Sequence, residues 1–193
     1  MLFKDFRYGM SMDEVQKKAK ITEEEISGGD GYLGEEDVPF AGHKWGIAYY
    51  FEKGKLVKIV LASEDNIAER YAALLNILLK SEYFYALIQT NGEEFDIVHL
   101  LKTVKKPEFI KKLTDIERLA LQNEQFIFIL FPIDLIKAAT SFSDLSIKAP
   151  VGTRTATLTY DDKEELLALI FEFPILERNT LLDKTKQTPM EKF

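Results

Sequence analysis

Residues 43–63 read HKWGIAYYFEKGKLVKIVLAS, and the structure this stretch adopts decides the fold. Trp45 to Phe51 and Leu56 to Leu61 are rich in β-branched and aromatic side chains, which suit a pleated, half-buried surface. Between them, Glu52-Lys53-Gly54-Lys55 is a turn with a glycine available for positive φ. The stretch is a β-hairpin. Because an isolated hairpin is marginal in water, further strands or helices must cover it, and the flanking sequence shows which.

On its N-terminal side lies YGMSMDEV, residues 8–15. Ser11 and Glu14 have capping-box spacing, and Met10 and Val15 are placed as a hydrophobic staple, so a helix starts here and runs from about Met12 to Glu25. Asp13 and Glu14 already complement the positive helix end, which leaves little room for an anion. Ser27 to Phe40, SGGDGYLGEEDVPF, reads as a Gly-rich acidic loop. Its acids Asp30, Glu35, Glu36 and Asp37 lack the EF-hand alternation, and its glycines lack both the Walker lysine and the G-x-G-x-x-G spacing, so a solvated loop is expected.

On the C-terminal side, a helix beginning near Asp65 carries Ile67, Tyr71, Leu74, Leu75 and Leu78 on one stripe, followed by a strand over Tyr83 to Gln89. Thr90-Asn91-Gly92-Glu93 fits either an Asn-Gly hairpin turn or a capping box, and the helix through Phe95 and Leu101 is preferred because Glu93 and Glu94 would sit in its first turn. Pro107 suits the first position of a helix bearing Phe109, Ile110, Leu113, Ile116 and Ala120. Phe126 to Phe131 is apolar on both parities, as in a strand buried on both faces, and Pro132 opens a short helix through Ile136. Residues 140–150 read as a loop, and Thr153 to Tyr160 with Leu166 to Phe173 as a second hairpin. YFEKGKLVKIV (50–60) resembles TYDDKEELLALI (159–170), each closing a helix-then-strands unit. The expected fold is α+β, with antiparallel sheet packed against helices in one domain over residues 1–177. Two similar helix-plus-hairpin units, with halves 1–90 and 91–177, are the alternative organisation. The polar stretch 178–193 is expected to be a mobile tail.

A chain of 193 residues with 46% hydrophobic content can bury a real core, and a formal charge of -7 argues against nonspecific nucleic-acid binding. The lysines Lys102, Lys105, Lys106, Lys111 and Lys112 around Pro107 read as a solvated helix junction. With no cysteine, disulfides, thiolate metal sites and cysteine nucleophiles are excluded for this sequence. No apolar run is long enough to span a membrane, and with Met1 as the native start a cytoplasmic location is the expectation.

Motifs for chemistry are sparse. His43 and His99 are the only histidines, and neither has a second ligand at metal spacing. His99, within IVHLL, is expected to be a hydrogen-bonded core or boundary residue. There is no G-x-S-x-G elbow, and the neighbouring acids Asp161 and Asp162 point apart in a turn. No residue is assigned to catalysis or to a metal, and no cofactor is called for. Tyr32, His43, Trp45 and Tyr49 are the candidate binding residues, as aromatics expected near the surface around the first hairpin.

The segment FRYGMSMDEVQKKA, taken with Trp45, Tyr49, Phe51, Gly54, Lys55, Leu56 and Ile59 of the hairpin, resembles the small α-plus-β domains of the BamE/SmpA type and the similar β-lactamase-inhibitor-protein fold. The resemblance covers about the first third of the chain. It implies non-enzymatic scaffolding or protein binding through a sheet face or loops. The sequence contains no cysteine to be lipidated and no apolar stretch of signal-peptide length near residue 1, so the envelope location of those members is not expected here. The expectation is a non-enzymatic interaction module with a protein partner. The alternative is a small-ligand-binding protein or a hydrolase, with a pocket at His43, Trp45 and the 30–37 acids.

Overall fold

The computed structural model describes residues 3, 5–19, 21 and 31–173. The hairpin is present as β2 (His43–Glu52) and β3 (Lys55–Ser63), and it lies inside one eight-stranded antiparallel sheet. The other strands are β1 (Tyr32–Phe40), β4 (Tyr83–Thr90), β5 (Glu93–Asp96), β6 (Gln125–Pro132), β7 (Thr155–Asp161) and β8 (Leu166–Glu172). Their order is β1-β2-β3-β8-β7-β6-β4-β5. Helices α1 (Met12–Ala19), α2 (Ile67–Lys80), α3 (Ile97–Thr103), α4 (Lys106–Leu121), α5 (Ile133–Ala138) and α6 (Phe142–Lys148) complete an α+β fold.

Alternation along the strands assigns the two faces. On one face Ile47, Tyr49, Ile59, Leu61, Phe128, Leu158 and Leu169 form the main core with Val15 of α1, Leu74 and Leu78 of α2, and Phe109 and Ala120 of α4. On the other, α5 and α6 cover only the β4–β6 end, where Ala86 and Phe131 pack with Ile136 and Leu145. The hairpins β2–β3 and β7–β8, which carry the similar sequences, meet at the centre through the β3–β8 pairing, Ile59 opposite Phe171. A helix followed by three adjacent antiparallel strands occurs on each side of that junction, as α1 with β1–β3 and as α4 with β6–β8, the second set being interrupted by α5 and α6 between β6 and β7.

The entry helix is held as its sequence requires. The Ser11 N–H donates to the Glu14 carboxylate at 2.7 Å, and the Glu14 N–H donates to the Ser11 hydroxyl at 3.2 Å. These contacts hold the Glu14 carboxyl below its usual range. The Gly9 N–H donates to the Leu56 carbonyl, and the Leu56 N–H to the Met10 carbonyl, so the cap is also clipped onto β3.

Five expectations are corrected. Tyr32 to Phe40 is a strand rather than a loop: its apolar residues Leu33 and Val38 are buried opposite Tyr49 and Trp45, and a bulge absorbs the acidic Glu36-Asp37. At 90–96 the Asn-Gly turn forms, pairing β4 with β5, and the next helix starts later, capped by Asp96, whose carboxylate accepts from the His99 N–H at 2.8 Å. Residues 142–148 are helical because Ser141 caps them, accepting from the Asp144 N–H at 3.1 Å. Phe126 to Phe131 is not buried on both faces throughout, since α5 and α6 reach only its C-terminal end and leave Ile127 37% exposed. The first helix, expected to run to Glu25, ends at Ala19, and Ile21 is not helical; residues 22–25 and the expected tail 178–193 lie outside the described residues.

Candidate functional site: an uncovered sheet face and a cleft at its rim

Strand β2 alternates between two environments. Trp45 and Tyr49 point into the main core and are each 1% exposed, which corrects the expectation that they are surface aromatics. The large apolar area of each ring is better buried once its polar tip is satisfied. The Trp45 indole N–H donates to the Phe40 carbonyl at 2.8 Å, and the Tyr49 hydroxyl to the Glu35 carboxylate at 3.0 Å. Burial, reinforced by the Glu35 charge, pushes the Tyr49 phenol far up. His43 opens β2 half-buried, and His99 is exposed on α3 rather than in the core.

The opposite parity builds a different surface. Tyr32 lies opposite Tyr50 with ring centroids 5.8 Å apart, and the Lys58 ammonium sits 4.5 Å from the Tyr50 ring. Val60 and Ile170 are register partners across the central β3–β8 junction, and Thr157 stands opposite Ile170 on β7. All six side chains are partly exposed, and among the described residues no helix packs over this part of the sheet. Of the expected binding residues only Tyr32 belongs to this surface. Val60 and Ile170 were not foreseen, although the apolar content of both parities in KLVKIVLAS was the available signal.

At the rim, the β2–β3 ladder ends at the Gly46–Ala62 pair and the strands part. There a cleft of about 440 Å³ opens between the β1 bulge, the starts of β2 and β8, and the residues leading into α2. Trp45, Glu36, Asp37, Ser63, Asp65 and Arg70 are among its walls. Trp45 meets Glu36 and Asp37 of the 30–37 segment at this cleft, whereas His43, Tyr32 and Tyr49 do not line it and the Glu35 carboxylate accepts from Tyr49 instead. Asp30 lies outside the described residues. The Lys44–Asp37 pair, 3.4 Å apart, is exposed and of little energetic weight. Among the described residues no group of acids and histidines is placed to hold a metal ion.

A third polar feature is structural. Tyr71 of α2 and Tyr85 of β4 both donate to the Glu117 carboxylate of α4, at 2.8 and 2.6 Å, which ties two helices to the sheet. Burial raises both phenols, and the Glu117 charge acts in the same direction. The network opens on neither the cleft nor the smaller hollow of about 290 Å³ at the β4–β5 turn.

Fold and surface together define an α+β protein with one face of its sheet committed to the core and the other, among the described residues, covered by helices only at its β4–β6 end. The chain matches no protein family model, no curated protein and no solved structure.

Proposed function

We propose that the chain is a non-enzymatic interaction module that binds a protein partner through the uncovered sheet face. The observation that carries this reading is the Tyr32–Tyr50–Lys58 cluster continuing into Val60, Ile170 and Thr157 on a surface over which no described helix packs. Contiguous apolar surface rimmed by polar groups is what a partner covers, and tyrosines supply contact area at low entropic cost. Binding across the face is favoured over strand addition at the edge. Edge strand β1 carries Pro39 and a bulge at Glu36-Asp37, and both interrupt the row of groups an added strand would pair with. The resemblance of the first third to BamE/SmpA-type domains points to the same class of role.

The test is to place Val60→Glu and Ile170→Glu together on the face and follow complex formation in native extract by size-exclusion chromatography. The wild-type chain is expected to elute with a partner, and the folded double variant alone. Co-elution unaffected by the two carboxylates would remove the face from the binding surface.

A further inference from the structure

Two side chains of opposite charge at the rim cleft, Arg70 and Glu36, have no oppositely charged partner among the described residues. Arg70 is 7% exposed, and its guanidinium lies 5.0 Å from the Trp45 ring while Nη1 donates to the Lys44 carbonyl. Nε is buried without an acceptor, and among the described residues no carboxylate pairs with this side chain. A buried guanidinium held by one nitrogen and a ring face is pre-oriented, and its Nε–Nη2 edge is the fork that takes a carboxylate in bidentate fashion. Leaving such a group unmatched is costly, so an anionic group brought to that edge gains what the protein does not supply.

An anion without an ion pair lines the same cleft. Glu36, exposed on the β1 bulge, lies over Gly46, where an added Cβ would come within 3.1 Å of its carboxylate oxygen. Gly46 thus keeps open the place the carboxylate occupies. Among the described residues Glu36 makes no ion pair or hydrogen bond, with Arg70 or with any other group. Asp37, Glu64 and Asp65 also line the cleft and add negative charge, so a simple anion would meet repulsion that a ligand carrying its own cation would not. A cleft of about 440 Å³ is within the range that encloses small molecules.

We propose that this cleft binds a small zwitterion, a free α-amino acid or a close analogue, with its carboxylate on the Arg70 fork and its ammonium group on Glu36. This site is separate from the sheet-face reading and does not rest on it. The test titrates the full chain with each proteinogenic amino acid by ligand-observed NMR and calorimetry. At least one is expected to bind saturably at a single site. Its N-acetyl and methyl-ester derivatives, each lacking one charge, should bind at least about tenfold more weakly. Glu36→Gln should weaken binding by a similar factor, and Arg70→Lys, which keeps the charge and loses the fork, by at least as much. Should Arg70→Lys fail to fold, Glu36→Gln and Gly46→Ala decide, because both alter only the rim. Absence of saturable binding by any amino acid overturns the proposal, as does binding that Glu36→Gln and N-acetylation leave unchanged. That second result would show an anion site without the ammonium contact.

Discussion

Strand β2 presents Trp45, Ile47 and Tyr49 to one side of the sheet and Gly46, Ala48 and Tyr50 to the other, and the two sets do different work. The first set is closed under α1, α2 and α4, with its polar tips satisfied. The second is small or amphipathic and stays partly in water. A sheet can thus spend one face on stability and keep the other for recognition, because a period of two sorts neighbouring residues into separate environments. Substitutions one residue apart should therefore have unrelated consequences.

The largest effect belongs to the closed face. Trp45→Ala removes the biggest fully buried side chain and the ring over which Arg70 lies, and should cost about 3–5 kcal/mol in urea denaturation. The variant is consequently a stability probe, and lost binding in it would say nothing about a surface.

A second effect on the same face is alkaline lability. The folded-state pKa values of Tyr49, Tyr71 and Tyr85 lie above the ordinary phenol value of 10.0, chiefly through burial. The unfolded chain therefore loses these protons first as pH rises. The stability these groups contribute is fully present below the unfolded value and falls as pH climbs beyond it. Urea midpoints should drop steeply above about pH 10, and less steeply in Tyr85→Phe.

Asp96 makes an intermediate case at the covered end of the second face. Its carboxylate caps α3 through His99 and accepts from the Phe142 N–H at 2.9 Å, joining two helix starts. Asp96→Ala should cost about 1–2 kcal/mol by the same assay.

The smallest effects are expected on the open face. Val60→Thr and Ile170→Thr keep β-branching where no described helix packs, and each should shift stability by no more than about 0.5 kcal/mol. A cost comparable to that of Trp45→Ala would break the contrast between the faces.

Elements with strong periodicity or explicit caps were legible in the sequence: the hairpins, α2, and the Ser11–Glu14 cap. Strand β1 was not, because Gly34, Glu35, Glu36 and Asp37 interrupt its apolar residues while its place depends on burying Leu33 and Val38 against β2. The cap of α6 was present as Ser141-x-x-Asp144 but lay among loop-like residues. The candidate site was legible only in part. Trp45 was associated with acids of the 30–37 segment, yet an aromatic-rich strand does not say which parity is covered until the helices are placed. Arg70 carried a usable signal, since it falls between Ile67 and Leu74 on the helix's apolar stripe, three residues after one and four before the other.

The central claim is that the open face meets a partner in the native setting. The most direct measurement incorporates a photo-crosslinking amino acid at Ile170, the centre of that face, and at Lys111 on exposed α4 as a control. After irradiation of the living cells, adducts at each position are compared by mass spectrometry. The account predicts a discrete protein adduct at position 170 that is missing at position 111. Equal adduct patterns at both positions, or none at position 170, would contradict it.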